Sequence, residues 1–306
     1  MAAVQSLAAP GTPERPRRRR PRATGAVFVV PYVLFLAVFG VAPALYALGL
    51  AFTRGAGGFA GFANFTKVIG DFRFWPAVEH VALYVLAWLV ALVVLVVTLA
   101  ILVHGVGRRW LGAGLRFLYY LPGALAGASS VLLWLFVLNP VASPVGPLLR
   151  ALGLHTFNST IAPGHLPVVF AIIAFWTGAG GWVLVMYGAL NGISDDIIEA
   201  ARIDGAGPLQ VALRIQLPLL RKWISYMAVL SLAAGTQLFV EPTLLSQASN
   251  AVVPNDYSLN QLAYQYAFDL GDFNGSAAIS VLLLVVSLAL AALFVLRGGL
   301  FDTEVP

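Results

Sequence analysis

The sequence contains no cysteine and little charge. Only 10% of its 306 residues are charged, whereas 60% are apolar, and the mean hydropathy is +0.87. The absence of cysteine excludes disulfide-stapled domains, thiol catalysis and cysteine-ligated zinc. A soluble domain carries about 25% charged residues, so the charge here is too sparse to cover a soluble surface. The apolar excess therefore indicates an integral membrane protein.

Lysine and histidine are also scarce, and their positions exclude two common kinds of site. The only lysines, Lys67 and Lys222, are followed by valine and tryptophan, so neither lies in a G-x-x-x-x-G-K-[ST] phosphate-binding loop. The 4 histidines include no pair at the spacing of an H-E-x-x-H metal site. We therefore expect no metal site in this chain, and no ATP bound through such a loop.

Long apolar runs are abundant. A helix that crosses a bilayer core about 30 Å thick needs about 20 apolar residues, and six stretches are long enough. Runs of this length lack both the stripe of a soluble amphipathic helix and the alternation of a barrel strand. The sequence therefore predicts an all-α, polytopic membrane protein. Its predicted transmembrane helices cover residues 26–51, 81–103, 117–138, 166–190, 223–240 and 277–296.

The distribution of basic residues predicts the orientation. If the N-terminus is cytoplasmic, all but four of the 18 Lys and Arg residues fall on the cytoplasmic side, as the positive-inside rule requires. The exceptions are Arg54, Lys67, Arg73 and Arg150. We therefore expect both termini in the cytoplasm. Residues 1–25, rich in Arg and Pro, are predicted to form a disordered basic tail, and residues 298–306 a short C-terminal tail.

One predicted cytoplasmic loop, residues 191–222 between the fourth and fifth helices, is long and polar. Ser194 and the two aspartates after it are typical of a helix start, because a side-chain oxygen caps free N–H groups there and acids suit the positive end of the dipole. Gly205 and Gly207-Pro208 interrupt the helical pattern. The loop is therefore predicted to form helix, hinge and helix. Its small face favours docking into a partner's groove, although a helix lying on lipid headgroups is the alternative.

The same loop resembles the EAA signature of binding-protein-dependent ABC importer permeases. Glu199-Ala200-Ala201, Asp204-Gly205-Ala206, Ile215 and Leu217-Pro218 follow the pattern E-A-A-x-x-D-G-A-x(8)-I-x-L-P. The resemblance covers about residues 26–297, and we call residues 191–222 the EAA loop. Chain segments outside the loop, such as Asn139-Pro140, resemble the carbohydrate branch, the maltose and glycerol-3-phosphate type of permease.

The resemblance implies a function and a set of partners. The chain would be a non-catalytic subunit that forms half of a translocation pore for a sugar or sugar-like solute in a bacterial inner or plasma membrane. A second permease subunit would complete a heterodimeric pore, and an extracytoplasmic substrate-binding protein would deliver the solute. Two ATP-binding cassette subunits would hold ATP and Mg and hydrolyse the nucleotide. No cofactor bound by this chain and no nucleic-acid partner is implied.

The resemblance also implies which residues couple the pore to the ATPases. Ala200 and Ala201 would pack closely, and Gly205 would form the hinge, where a side chain blocks a left-handed backbone. Glu199 and Asp204 would cap or orient the first helix, and Leu217-Pro218 would end the second one before the fifth span. The full set of coupling residues is Glu199, Ala200, Ala201, Asp204, Gly205, Ala206, Leu217 and Pro218.

Polar and aromatic residues within the spans are candidates for the solute path, because aromatic rings and amides suit sugars and intramembrane polar groups usually face a cavity. The candidates are Trp176, Thr177, Tyr187, Gln237 and Glu241. Each has an alternative, because Trp and Tyr also form interfacial belts and glutamine also bridges helices.

Other functions remain open as alternatives. The importer could carry a non-sugar solute such as glycerol phosphate, an amino acid or a polyamine. An ion-coupled secondary transporter would need acids or bases in the cores of its spans, and these cores hold none. An intramembrane enzyme would need paired catalytic groups, and Ser129, Ser130 and Ser231 have no nearby intramembrane histidine.

Overall fold

The computed structural model describes residues 23–55, 57–106, 109–125, 127–250 and 252–297. Over these residues the regular secondary structure is helical, and the one β contact is an isolated bridge between Thr53 and Phe59. The all-α fold that the apolar runs predict is therefore confirmed. The predicted N-terminal tail lies mostly outside the described residues, and the predicted C-terminal tail, residues 298–306, lies entirely outside them.

The chain divides into two compact units, Met1–Tyr46 and Ala47–Pro306. In the first, the helix Ala23–Leu36 continues through a π-helical turn, Ala37–Val41, in which the N–H of Ala42 bonds to the carbonyl of Ala37. This wider turn immediately precedes Pro43, which has no N–H and whose ring crowds an ordinary helical turn. The π-turn thus lets the helix pass through a proline.

Six spans result when each bent pair of helices counts as one. Four helices are long and apolar enough to cross a membrane and are continuous, namely Phe28–Ala51, Phe74–His104, Pro163–Leu190 and Phe273–Leu296. Trp110–Ala124 and Gly127–Val137 meet at 102°, and Arg221–Gly235 and Val240–Ala248 meet at 46°. We number these spans one to six in chain order, so the bent pairs are the third and fifth.

The second span begins earlier than the sequence predicts. It starts at Phe74 instead of residue 81, because the polar residues Glu79 and His80 stay helical and Pro76 falls in the first turn, where no N–H is needed. The preceding segment, predicted as a loop, contains the short helix Ala63–Ile69.

Two predicted continuous spans are broken. The third bends at a 3-10 turn, Leu121–Ala124, that holds Pro122 and is followed by Leu125 in extended conformation. The fifth ends its first helix at Gly235 and resumes at Val240, after Phe239 has left the helical region with a φ of −146°. Pro122 explains the break in the third span. Hydropathy alone does not indicate the break in either span.

The main core lies between the second, fourth and fifth spans. Trp88, Phe170 and Met186 are among its buried residues. A Cβ atom added at Gly180 would overlap the backbone carbonyl of Tyr119, so the fourth span approaches the third by backbone contact. A Cβ at Gly235 would come within 2.8 Å of the Trp88 ring. Glycine therefore sets two of the close helix approaches in the bundle.

Besides the spans, the described residues include five shorter helical segments outside the EAA loop. They are Ala63–Ile69, Gly146–Ala151, Phe157–Thr160, Leu259–Tyr264 and the π-helical Gln265–Asp269. The last two precede the sixth span and pack into a second hydrophobic cluster with Val68 and Ala278.

Candidate functional site

A short polar helix, Asp195–Ile203, follows the fourth span, and we call it the EAA helix. The Ser194 hydroxyl accepts a hydrogen bond from the Asp196 N–H across 3.3 Å. Asp195 and Asp196 occupy the first turn and Arg202 the last, each at the end of the dipole that favours its charge. No residue of this helix is buried. Local capping therefore stabilises it, and its surface is free for a partner.

The predicted coupling residues of the EAA helix lie on this accessible surface. Glu199 and Ala200 are exposed, and Ala201 is half-buried. Asp204 is the C-cap, with its N–H bonded to the carbonyls of Ala200 and Arg202. The small alanine face is therefore open to contact, and its role in coupling stays a prediction.

Gly205 ends the EAA helix in a left-handed conformation, with a φ of +84°. Its N–H bonds to the Arg202 carbonyl at 3.0 Å, and the Ala206 N–H bonds to the Ala201 carbonyl at 2.9 Å. This pair of bonds is the Schellman motif, in which glycine is favoured because it has no Cβ. A Cβ at Gly205 would meet nothing within 4 Å, so the constraint on this position is the backbone conformation.

The second half of the loop resumes as a helix at Pro208. The Gly207 N–H donates to the Gln210 side chain at 3.0 Å, which fixes this helix start. The helix then continues through a π-helical turn, Ala212–Gln216, and Leu217–Leu219. The half-buried Ile215 lies within the π-turn.

The second helix of the loop ends at Leu219, directly after Leu217-Pro218, and the part that this pair plays in ending it stays a prediction. Pro218 lies within a helical turn, and the backbone turns only at Leu220, just before Arg221–Gly235 begins. The Leu217 N–H bonds to the Ala212 carbonyl, a π-type bond that accommodates the proline ring. The loop therefore runs almost directly into the fifth span.

The EAA loop presents apolar side chains on its surface. Ile203 is 87% exposed, Leu209 70% and Leu213 55%. A groove of about 980 Å³ separates the loop from the end of the second span, with Leu102 on one wall and Glu199 and Leu209 on the other. Exposed apolar side chains of this kind, rimmed by charge, are typical of a protein interaction surface.

The beginning of the second span carries a charged cluster. The Arg73 guanidinium bonds to both carboxylate oxygens of Asp71, at 3.0 and 2.7 Å, and Tyr266 donates to Asp71 at 2.7 Å. The hydrogen bonds from Arg73 hold the pKa of Asp71 well below its usual range. Burial and the Asp71 hydrogen bond raise the pKa of Tyr266 to about 12, so its hydroxyl remains a donor at neutral pH.

A more exposed ion pair lies beside this cluster, between Lys67 and Asp272 at 2.7 Å. Burial of the Asp272 carboxyl opposes its ionisation, but hydrogen bonds from Lys67 and the Gly275 N–H outweigh burial and leave the pKa of Asp272 below its usual value. The Lys67–Asp272 pair and the Tyr266–Asp71 hydrogen bond tie the segment before the second span to the segment before the sixth.

The five candidates for the solute path do not share one cavity. Trp176 packs edge-on against Trp134, with ring centroids 5.8 Å apart, beside an apolar cavity of about 700 Å³ at the bend of the third span. The Thr177 hydroxyl donates to the carbonyls of Ile173 and Ala174 in its own helix. Hydroxyls bonded in this way are less available to a solute.

The other three candidates lie elsewhere. Tyr187 lies at the EAA-loop end of the fourth span, where its ring lies 4.2 Å from the Arg116 guanidinium. Glu241 is half-buried in the first turn of Val240–Ala248. Gln237 is exposed in the break of the fifth span and lines a separate cavity of about 700 Å³.

The cavity around Gln237 contains residues that sequence reasoning missed. Asn260, Tyr264 and Phe268 line it, as do serines of the sixth span. The first three recur every four residues, and Ser276, Ser280 and Ser287 are separated by four and seven residues in an otherwise apolar helix. Such spacing places each set on one helix face. This regular spacing is the sequence signal that could have identified these cavity residues.

Within the described residues, no group of three or more His, Asp or Glu side chains is placed to hold a metal ion. What the geometry offers is an exposed capped helix beside an apolar groove, and cavities within the bundle. These are features of binding and mechanical coupling.

Comparison with known proteins agrees with these features. The chain is 29% identical over 315 residues to the diacetylchitobiose uptake system permease protein of Streptomyces coelicolor. The alignment covers 94% of this chain and 86% of that protein. It is also 26% identical over 271 residues to the multiple sugar-binding transport system permease protein of Streptococcus mutans. That alignment covers 86% of this chain and 90% of the Streptococcus protein.

Solved structures share the fold. The crystal structure of a bacterial ABC transporter involved in the import of the acidic polysaccharide alginate superposes with a TM-score of 0.77 at 19% identity, over 90% of this chain and 94% of the other. A second structure, the alginate transporter in complex with its alginate pentasaccharide-bound periplasmic protein, gives a TM-score of 0.76 at 20% identity, over 89% and 92%.

The family match is extensive. The sequence pattern of the binding-protein-dependent transport system inner membrane components matches residues 97–298, which is more than half of the chain and includes the EAA loop. The family that the loop residues indicate is therefore confirmed, and the chain belongs to the binding-protein-dependent transport system inner membrane components.

Proposed function

We propose that this chain forms half of the translocation pore of an ATP-driven importer for saccharides. The EAA loop carries the proposal, because it combines an exposed capped helix, a left-handed glycine and exposed apolar side chains. The saccharide class follows from the two relatives, since both are named for the uptake or binding of sugars.

The loop would transmit work from a separate ATPase subunit. Ile203 and Leu209 are exposed apolar side chains of the loop, and Ala200 is exposed as well, so an apolar groove on a partner would bury apolar surface of the loop on docking. The fifth span begins directly after the loop. Displacement of a docked loop would therefore move the fifth span as a rigid body, a known switching mode.

The proposed function requires partner proteins that bind ATP, complete the pore and deliver the solute. In this proposal ATP and Mg are held by two ATP-binding cassette subunits, and a second, different permease subunit completes the pore. A binding protein on the other side delivers the solute, as the alginate transporter's complex with a solute-bound periplasmic protein suggests by analogy. The EAA loop and both termini would be cytoplasmic, and this chain would bind no cofactor and perform no hydrolysis.

The solute path would run between the spans near the break in the fifth one. Gln237 lies in that break and Glu241 just after it, while Trp176 and Thr177 lie midway along the fourth span. Tyr187 would lie at the cytoplasmic end of the path. Interrupted helices are common at transporter binding sites, because their free backbone groups can face a solute.

The proposal is tested by isolating the assembly. Affinity-tagged chain purified from its native membrane should bring an ATPase, a second permease and a binding protein with it. Vesicles that contain this assembly should accumulate a saccharide only when ATP and the binding protein are both supplied. Accumulation by vesicles that contain this chain alone, without nucleotide, would contradict the proposal.

A further inference from the structure

The cavity around Gln237 has one aromatic wall. The rings of Phe239 and Tyr264 lie 5.7 Å apart, and those of Tyr264 and Phe268 lie 4.7 Å apart. Tyr264 is 49% exposed and Phe268 67% exposed, so their surfaces are open to a ligand. A pyranose ring has an apolar C–H face, and an aromatic surface of this size would cover it.

The lining of the cavity also contains polar groups. Asn260 donates to the Thr236 carbonyl at 3.1 Å, which holds its amide in place while the amide oxygen keeps acceptor capacity. The hydroxyls of Thr236 and Ser287 are hydrogen-bonded to each other at 3.0 Å. Gln237 contributes an exposed amide, which can both donate and accept. Sugar hydroxyls also donate and accept, so these polar groups are complementary to them.

No Asp, Glu, Lys, Arg or His is among the lining residues of this cavity. The nearby charged cluster is satisfied internally, because Arg73 pairs with Asp71 and Lys67 with Asp272. A carboxylate or phosphate on a solute would lose water in the cavity without gaining a counter-charge from it. The lining therefore favours an uncharged ligand over an acidic one.

The cavity also lies at a break in the backbone. The first helix of the fifth span ends at Gly235, and Gln237 and Phe239 come before the next helix. A π-helical turn, Gln265–Asp269, holds Phe268 on the other side. Such irregular turns are frequent at functional sites, and the volume of about 700 Å³ is within the range of small-molecule sites.

We propose that this cavity is a binding subsite for an uncharged saccharide, with Tyr264 and Phe268 stacking on a sugar ring and Gln237 and Asn260 bonding its hydroxyls. The assignment deepens the proposed function and rests on it. Because the lining of the cavity carries no charge, the assignment predicts that this chain does not carry an acidic polysaccharide.

The test uses the purified assembly in vesicles, with labelled maltose, diacetylchitobiose and an alginate oligosaccharide as probes. Gln237→Leu and Tyr264→Ala should each lower uptake of an uncharged saccharide about tenfold, the effect of losing one well-placed contact. Phe72→Ala is the control, because Phe72 is 86% exposed and lies outside the cavity, and it should transport normally. Comparing the yield and thermal stability of each assembly excludes misfolding.

A second measurement does not depend on uptake. Tyr264→Trp keeps an aromatic ring in the cavity, and its emission should change when the transported saccharide is added. Quenching by brominated lipid tails, with no response to saccharide, would assign the cavity to lipid and overturn the inference.

The outcomes separate the two proposals. If the parent assembly moves no saccharide, the proposed function fails. If it moves an uncharged saccharide but the Gln237 and Tyr264 variants match it, only the cavity assignment fails. Uptake of the alginate oligosaccharide alone would overturn the uncharged class.

Discussion

The Tyr266 hydroxyl donates a hydrogen bond to the Asp71 carboxylate across 2.7 Å, although the two residues lie 195 positions apart in the chain. Arg73 bonds to the same carboxylate and also to the Gln265 side chain at 3.1 Å. The entrance to the second span is thereby joined to the segment that enters the sixth, next to the cavity around Gln237. This connection fixes one wall of the cavity.

The two ion pairs at this end should differ in their contribution to stability. Arg73 and Asp71 are 21% and 11% exposed, whereas Lys67 is 58% exposed. Arg73→Ala should lower the free energy of unfolding by about 1.5–3 kcal/mol, because a carboxylate loses its charged hydrogen bonds. Lys67→Ala should cost less than about 1 kcal/mol, since water screens an exposed pair. Thermal unfolding of the two variants in detergent tests the order, and equal losses would contradict it.

The Asp71 cluster should also make stability depend on pH in one direction. The folded state holds the pKa of Asp71 below its usual value of 3.8. The stabilisation is therefore fully present at neutral pH, and it decreases as pH falls below about 4, where the unfolded chain binds a proton that the folded chain does not.

Asp71→Asn removes this titration. The stability difference between the parent and this variant should be constant near neutral pH and should shrink as the pH is lowered toward about 3. Unfolding of both proteins across that range measures it. A difference that grows with acidity would show that Asp71 is not held ionised by Arg73.

Two adjacent glycines in the fourth span should respond oppositely to alanine. A Cβ at Gly180 would overlap the Tyr119 carbonyl, whereas a Cβ at Gly181 would meet nothing within 4 Å. Gly180→Ala should destabilise the bundle by about 1–3 kcal/mol, as overpacking against backbone does. Gly181→Ala should be neutral or slightly stabilising in a helix. Melting temperatures compare them, and equal effects would refute the close approach of the third and fourth spans.

The apolar surface of the EAA loop should hold the ATPase. Ile203→Ser and Leu209→Ser should each weaken retention of the ATPase about tenfold, because removing a central, well-packed anchor of an interface costs more than about 1 kcal/mol. Leu152→Ser is the control, since Leu152 is 68% exposed and lies outside the loop. ATPase recovered with the tagged chain is the measurement. Equal recovery from all variants would remove the loop from the interface.

The sequence predicts the helical class and the six apolar stretches, which are six spans in the structure if each bent pair counts as one, because both depend on total apolar length. It also predicts the capped start of the EAA helix and the left-handed Gly205, since Ser194 and glycine act through local backbone chemistry. It does not predict where spans break. Hydropathy does not indicate the bend at Gly235 or the 3-10 turn around Pro122.

The candidate solute path shows the same limit. Composition indicates Gln237 but also Thr177, whose hydroxyl is bonded within its own helix. Only the packing of the segments shows that Asn260 and Tyr264, from another part of the chain, face Gln237.

Coupling through the EAA loop is the central claim, and two glycines of that loop test it most directly. Gly205 has a φ of +84°, whereas Gly207 has a φ of −72°, and a Cβ at either would meet nothing within 4 Å. Valine therefore strains the backbone at position 205, by about 1–2 kcal/mol or more, but suits the extended conformation before a proline at position 207.

The decisive measurement is ATP hydrolysis by the reconstituted assembly when solute-loaded binding protein is added. We expect Gly207→Val to be stimulated like the parent. Gly205→Val should assemble in the membrane but lose the stimulation. Full stimulation of the Gly205→Val assembly would contradict the account.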